Sequence, residues 1–201
     1  MTDPLRPVPR LAFPDPSDPR ARELIRSLRL EGLPGESGYI GLIGRSALQV
    51  SLEGRTLDAQ SQVYYLLTRE VPVNFLHRVA SEDTHVLVEG GPVDYFVFHE
   101  GGRAEKWTLG RDVPAGERLA LAVPAGAAKA LRLRAGAGYA LMVNVLSPAW
   151  TPDRVKIGAG PEFVEWYQHR APWATPTRSG ATASTSTMSP TAPCSCAIRP
   201  L

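Results

Sequence analysis

Apolar and polar positions alternate in short runs along most of the chain after residue 38. Each run is rich in β-branched and aromatic residues, and turns containing Gly, Pro, Asp or Glu interrupt the pattern about every ten residues. Alternation over such short segments is typical of antiparallel strands that bury one face. The pattern predicts an all-β sandwich or barrel, built from the runs SQVYYLL, VNFLHRV, THVLVEG, VDYFVFHE, RLALAVPAG, KALRLRAG and YALMVNVLS.

A helical pattern precedes these strands. In DPRARELIRSLRL, the apolar residues Leu24, Ile25 and Leu28 recur at the spacing of an amphipathic helix. Ser17 or Asp18 provides a capping side chain at its start. We therefore expect one short N-terminal helix that covers one face of the strands that follow.

Composition divides the chain into one domain and two ends. The 201 residues, 43% of them hydrophobic, are enough for one core of ordinary size. Residues 1–18 are rich in Pro and Asp, and residues 175–201 contain almost no large apolar side chains, so both ends are predicted to be disordered. A single domain over residues 19–174 is the expectation.

Charge and cysteine content indicate which partners and which cellular compartment to expect. The 22 basic and 20 acidic residues are nearly balanced and scattered, which argues against nucleic acid. No apolar run has the length of a membrane span, and the N-terminus lacks the pattern of a signal peptide. The two cysteines, Cys194 and Cys196, offer the core no disulfide framework. The chain is expected to be cytoplasmic, with no membrane partner.

The candidate chemistry lies in NFLHRVASEDTHVLVEGG, residues 74–91, which combines two histidines and three acidic residues within a β-type segment. Alternate side chains of a strand share a face, so Phe75 and His77 are predicted to point the same way. Asp83 and His85 share a face of the next strand for the same reason. If both faces are interior, His77, Asp83 and His85 converge.

Several segments of the chain together resemble a known family. GERLALAVPAGAAKAL, beginning at Gly116, resembles the second conserved motif of cupins, and the segment around His77 resembles the first. The order of the blocks over roughly residues 24–157 is similar to the cupin_5 (DUF985) family. This resemblance implies a cupin-type jelly-roll β-barrel, often dimeric, with a pocket in the barrel mouth and no settled common reaction. The blocks are LIRSLRLEGLPGESGYIG, SQVYYLL, LHRVASEDTHVLVEGG, LGRDVPAGERLALAVPAG and VNVLSPAW.

The resemblance also implies where a metal would bind. The cupin pattern places two histidines, a Glu and a late His at positions that here read Phe75, His77, Asp83 and Lys129. Phenylalanine offers no lone pair, and lysine brings a positive charge of its own. With His85 as a third ligand, the set His77, Asp83 and His85 would suit zinc, iron or manganese. Without a metal, His77 donates a hydrogen bond inside a polar interior and Asp83 pairs with Lys129.

A metal-independent isomerase or epimerase is another interpretation, because some cupin-fold sugar epimerases resemble this layout and use a His base with a Tyr acid. His77 is the candidate base, oriented by Asp83. Tyr139, Tyr64 and Tyr65 are the candidate acids.

The stretch ESGY matches the EGGY stretch of the family and predicts a turn. Gly38 permits a positive φ in this turn, and Glu36 and Tyr39 are expected at the pocket rim. The predicted pocket residues are Tyr39, Tyr65, Phe75, His77, Asp83, His85 and Lys129.

The leading interpretation is a cupin-fold protein that binds a small polar or anionic molecule in the barrel mouth, with Lys129 as the cation for an anionic group. The alternatives are the isomerase and a metal-dependent oxygenase or lyase. No GxGxxG motif, phosphate loop or GxSxG elbow points elsewhere. A homodimer is expected from the resemblance, and because jelly-roll edges such as VDYFVFHE need to be covered.

Overall fold

The computed structural model describes residues 13–33 and 35–158. Within them the chain forms one α-helix, three short 3₁₀ helices and thirteen strands. The elements are α1 (Pro19–Ser27), β1 (Glu31–Gly32), β2 (Tyr39–Arg45), β3 (Gln49–Leu52), β4 (Arg55–Asp58), β5 (Ser61–Thr68), β6 (Val73–Val79), β7 (Glu82–Gly90), β8 (Val93–Phe98), β9 (Ala104–Leu109), β10 (Ala120–Val123), β11 (Ala128–Leu133), β12 (Tyr139–Ser147) and β13 (Val155–Ile157).

Most of the strands belong to two antiparallel sheets that face each other. One sheet has the order β1-β2-β5-β12-β7-β10, and the other has the order β13-β6-β11-β8-β9. The strands β3 and β4 form a separate two-stranded ribbon. A buried core cluster takes side chains from both sheets, including Leu67 and Met142 from the first and Val97 and Leu131 from the second. The alternating pattern of the sequence thus folds largely as predicted, with one face of most strands turned inward.

The N-terminal helix packs on the outer face of the six-stranded sheet. Asp18 caps it as predicted, because its side chain accepts hydrogen bonds from the backbone N–H groups of Arg20 and Ala21. Leu24 is buried in a cluster with Leu66, on the side of β5 opposite the core. No helix within the described residues has the length and apolar character needed to cross a bilayer.

Part of the N-terminus that was predicted to be disordered makes defined contacts. The ring of Phe13 lies edge-on to Tyr39, with 5.3 Å between ring centroids. The backbone N–H of Ser17 donates to Glu70 Oε1 at 2.9 Å. Residues 1–12 and 159–201 lie outside the described residues, and with them the predicted domain end at 174 and the tail that follows.

The segment VDYFVFHE is not a sheet edge, so the prediction that a second copy must cover it is wrong. Its strand, β8, lies between β9 and β11, and all six of its residues are buried. In the described sheets the edge strands are β1, β10, β13 and β9. The β-propensity of the segment reflects burial on both sides, which periodicity alone does not distinguish from an edge.

Candidate functional site

A cavity of about 330 Å³ lies between the two sheets. Five of the predicted pocket residues line it, namely Tyr65, His77, Asp83, His85 and Lys129. Much of the remaining wall is apolar and includes Leu33, Ile40, Val63, Leu131 and Leu146. The cavity thus combines apolar walls with a small group of buried polar side chains.

An ion pair between Lys129 and Asp83 forms the polar centre of the cavity wall. Lys129 Nζ donates a hydrogen bond to Asp83 Oδ2 at 2.6 Å, as expected for the metal-free arrangement. Only 2% of Lys129 and 3% of Asp83 is exposed. Burial alone would raise the pKa of Asp83, but His85 and Lys129 outweigh it and hold that pKa well below its usual range. Asp83 is therefore an anion that pairs with Lys129.

His85 contacts Asp83 from another side. Its Nε2 lies 3.0 Å from Asp83 Oδ2, and its Nδ1 lies 3.0 Å from the Tyr95 hydroxyl. The carboxylate of Asp83 would repel a lone pair on Nε2, so we assign the His85 proton to Nε2. The lone pair is then on Nδ1, where it accepts a hydrogen bond from the Tyr95 hydroxyl. The Nε2 contact lacks hydrogen-bond alignment and is mainly electrostatic. Burial lowers the pKa of His85, which is neutral at physiological pH.

His77 presents an acceptor to the cavity. Its Nδ1 lies 2.8 Å from the carbonyl oxygen of Phe75, an acceptor, so Nδ1 carries the proton and donates it there. The lone pair is then on Nε2, which lies 3.5 Å from Glu36 Oε2. Burial, and then the charge of Lys129, lower the pKa of His77 to about 3. His77 is therefore neutral at physiological pH.

A loop between β1 and β2 brings Glu36 to the cavity. The carbonyl of Glu36 accepts hydrogen bonds from Asn74 Nδ2 at 3.0 Å and from the backbone N–H of Phe75 at 2.7 Å. The Tyr65 hydroxyl donates to the carbonyl of Ser37 at 2.7 Å. Burial raises the pKa of Glu36. The sequence predicted Glu36 only at the rim, yet its carboxyl lines the cavity beside His77.

Gly38 ends this loop with the positive φ that the sequence predicted. Its φ is +83°, and a Cβ added there would collide with the Tyr65 hydroxyl. Ser37 also has a positive φ, of +73°. The hydrogen bond from Tyr65 and the close approach at Gly38 together fix the loop on β5.

Phe75 does not share the face of His77, which corrects the predicted alternation. Lys129 opposes His77 across β11 and β6, whereas Leu131 opposes Asn74, so β6 contains one extra residue between these positions. This bulge turns Asn74 toward the cavity and leaves Phe75 40% exposed. A bulge of this kind cannot be recognised from period-two alternation.

Two of the tyrosines predicted at the site lie on the opposite face of the six-stranded sheet. The Tyr39 hydroxyl donates to the carbonyl of Pro14 at 3.1 Å, and the Tyr139 hydroxyl donates to Glu89. Tyr64 also packs in the cluster beneath α1. Alternation along β2, β5 and β12 places these side chains outward, because their sequence neighbours point inward.

The two tyrosines that do face the interior have their hydroxyl groups engaged. Tyr65 donates to the carbonyl of Ser37, and Tyr95 contacts His85. In the part of the chain that the structure describes, no tyrosine hydroxyl is therefore placed as an acid opposite His77.

The residues present do not fit a divalent metal. No three His, Cys, Asp or Glu side chains among residues 13–33 and 35–158 are grouped so that they could hold one. Asp83 Oδ2 already accepts from the Lys129 ammonium, which would repel a cation at that position. His85 faces Tyr95 through its other nitrogen. The predicted ligand set of His77, Asp83 and His85 is thus replaced by an internal ion pair.

Two facing antiparallel sheets that enclose a ligand-sized cavity define a jelly roll of the cupin class. A sequence model of the Cupin_5 family, described as "Cupin superfamily (DUF985)", matches residues 22–158. The chain therefore belongs to this family, and the resemblance drawn from its sequence is confirmed.

Solved structures of two other proteins are similar along most of their length. A hypothetical protein from Leishmania major is 28% identical, with a TM-score of 0.68, and the alignment covers 75% of this chain and 93% of that one. A protein from Shewanella oneidensis is 24% identical, with a TM-score of 0.66 and coverage of 78% and 94%. No curated protein matches the sequence. These similarities support the fold.

Proposed function

We propose that this protein binds a small organic acid in the cavity, with the acid group against Lys129 and the apolar body against the surrounding walls. The cavity volume of about 330 Å³ is at the lower end of the range for small-molecule sites. Apolar walls that surround a few convergent polar groups are the usual design of such sites.

The ammonium of Lys129 is the observation that carries this proposal. An ammonium has three N–H donors, and the hydrogen bond to Asp83 uses one of them. The other donors remain for a ligand on the cavity side. Burying a charged group costs free energy that its hydrogen bonds offset, and an anionic ligand that accepts from the remaining donors would add to the compensation given by Asp83.

The chemistry required by the alternatives has less support. An isomerase of the predicted type needs an acid opposite His77, and the described tyrosines do not supply one. A metal-dependent reaction needs ligands that Lys129 and Phe75 displace. The cytoplasmic location and the homodimer stay predictions from sequence.

The proposal is tested with hexanoate, hexanamide and hexan-1-ol as probes in isothermal titration calorimetry. We expect hexanoate to bind and the two uncharged probes to bind much more weakly. Lys129→Met should weaken hexanoate binding by about 1 to 3 kcal/mol, the magnitude of a lost charged hydrogen bond. Equal binding of the three probes, or binding of none, would refute the proposal.

Two further variants control this experiment. Lys106→Met is the matched control, since Lys106 also faces an aspartate, Asp94, but lies outside the cavity. Lys129→Met leaves Asp83 buried without its partner, so the double variant Asp83→Asn/Lys129→Met tests binding in a protein that keeps no buried charge there. It should also fail to select the acid.

A further inference from the structure

Two hydrogen-bond acceptors face each other in the cavity without a donor between them. The lone pair of His77 Nε2 points toward the carboxyl group of Glu36, and the nearest atoms are 3.5 Å apart. This separation is too long for a strong hydrogen bond. Two acceptors held this close call for a donor that both can share.

Two neighbouring polar side chains donate to backbone carbonyl groups of the loop that carries Glu36. The amide nitrogen of Asn74 donates to the carbonyl of Glu36, and the Tyr65 hydroxyl donates to the carbonyl of Ser37. Both bonds hold the loop in place. A donor on a molecule in the cavity would satisfy His77 Nε2 and the Glu36 carboxyl group together.

Lys129 lies directly beside this acceptor pair. Lys129 and His77 are register partners on the adjacent strands β11 and β6. Neighbouring strands are about 4.8 Å apart, so the ammonium and the acceptor pair would meet groups on neighbouring atoms of one ligand. The cavity wall thus presents the Lys129 ammonium next to two acceptors, His77 Nε2 and the Glu36 carboxyl group.

We propose, on the basis of the organic-acid function above, that the ligand is an acid with a hydrogen-bond donor on the adjacent carbon, that is, a 2-hydroxy or 2-amino acid. Its carboxylate lies against Lys129. Its hydroxyl or ammonium group donates to His77 Nε2 and to the Glu36 carboxylate. The apolar remainder of the molecule contacts the walls.

The test compares hexanoate with 2-hydroxyhexanoate and norleucine, both enantiomers of each, by isothermal titration calorimetry on the wild-type protein. These probes share the apolar chain and the carboxylate and differ only in the donor. We expect at least one of the substituted acids to bind 10-fold or more tightly than hexanoate. Preference for norleucine identifies an ammonium group, and preference for 2-hydroxyhexanoate identifies a hydroxyl group.

Glu36→Gln tests the role of the acceptor. The amide keeps the size of the side chain and removes one acceptor oxygen, so the preference over hexanoate should fall below about 3-fold. Glu117→Gln is the matched control, because Glu117 is similarly buried but binds Arg134 outside the cavity. The comparison of probes on the wild-type protein does not depend on whether Glu36→Gln folds.

The outcomes separate the two proposals. Hexanoate that binds as tightly as the substituted acids would overturn the inference, because a proton on Glu36 would then satisfy His77, and would leave the organic-acid function standing. Failure of all the acids to bind would overturn the organic-acid function itself.

Discussion

Asp83 and Lys129 form an ion pair that joins the two sheets from within. Asp83 belongs to β7 of the six-stranded sheet and Lys129 to β11 of the five-stranded sheet, and the two side chains meet at 2.6 Å. Both are almost completely buried. The same contact therefore shapes the cavity wall and links the sheets.

Removal of one partner of this pair should destabilise the protein more than removal of both charges. Lys129→Met leaves a buried carboxylate unpaired, which costs about 3 to 5 kcal/mol of unfolding free energy. The double variant Asp83→Asn/Lys129→Met should lose clearly less, because no charge remains to be desolvated. Urea unfolding of the wild type, both singles and the double measures this cycle. Equal losses in Lys129→Met and the double variant would contradict it.

The buried His77 should make the fold sensitive to acid. Its folded pKa of about 3 lies below the value near 6.5 expected in the unfolded chain. Between these values the unfolded chain binds more protons, so stability falls as the pH falls through this window. His77 alone should cost about 2 to 3 kcal/mol between pH 7 and pH 4.5.

Urea unfolding at the two pH values checks this expectation for His77. His77→Gln should flatten the dependence of stability on pH. His85, whose pKa is also lowered, contributes in the same direction and accounts for a residual slope. A slope unaffected by His77→Gln would refute the assignment.

Gly38 should tolerate no side chain. Gly38→Ala combines the cost of a positive φ, about 1 to 2 kcal/mol, with a collision against the Tyr65 hydroxyl that adds a further 1 to 3 kcal/mol or so. Gly126→Ala is the matched control, because Gly126 has a φ of +78° and open space around its Cα. Thermal unfolding should show the larger loss for Gly38→Ala. Because the loop carries Glu36, acid binding should weaken in this variant alone, and similar losses in both variants would contradict the role of the collision.

The homodimer should form through the β3–β4 ribbon. In the described part of the chain β3 pairs only with β4, all four of its residues are exposed, and none of them is charged. An uncharged free edge is suited to pairing with a second copy. Light scattering should show a dimer for the wild type and a monomer for Val50→Lys.

Val86→Lys is the matched control for this prediction. Val86 has nearly the same exposure as Val50, 38% against 39%, but lies on β7. It should leave the dimer intact. A wild-type monomer, or a dimer broken only by Val86→Lys, would contradict the assigned interface.

The tail is expected to be dispensable for folding. Residues 177–201 offer almost no large apolar side chains to offset the entropy of ordering them, and the family match ends at residue 158. Deletion of residues 177–201 should change the thermal midpoint by no more than a few degrees. A decrease of many degrees in the thermal midpoint would contradict this prediction.

Most of the fold and part of the candidate site can be predicted from patterns among neighbouring residues. Alternation predicts the strands, and Asp18 predicts the start of the helix, because each depends on a few neighbouring residues. Alternation predicts that His77 and Asp83 converge if both faces are interior, whereas Lys129, on a third strand, is placed beside them only by the family resemblance.

The predictions that were wrong concern side chains whose direction depends on tertiary structure rather than on neighbouring residues. The bulge in β6 shifts the inward face from Phe75 to Asn74, and one extra residue leaves no mark on the hydrophobic pattern. Tyr139 lies outward because of the register of β12. Glu36 reaches His77 through a loop that hydrogen bonds from distant strands hold in place, which no spacing along the chain reveals.

The helix and the cavity lie on opposite faces of one sheet, so adjacent residues of β5 have separate tasks. Leu66 contacts the helix cluster, while Tyr65 lines the cavity. Substitutions on the helix side can therefore adjust stability without altering the cavity wall, and substitutions in the cavity can be made without disturbing the helix. A sheet divided in this way lets its two faces change independently of each other.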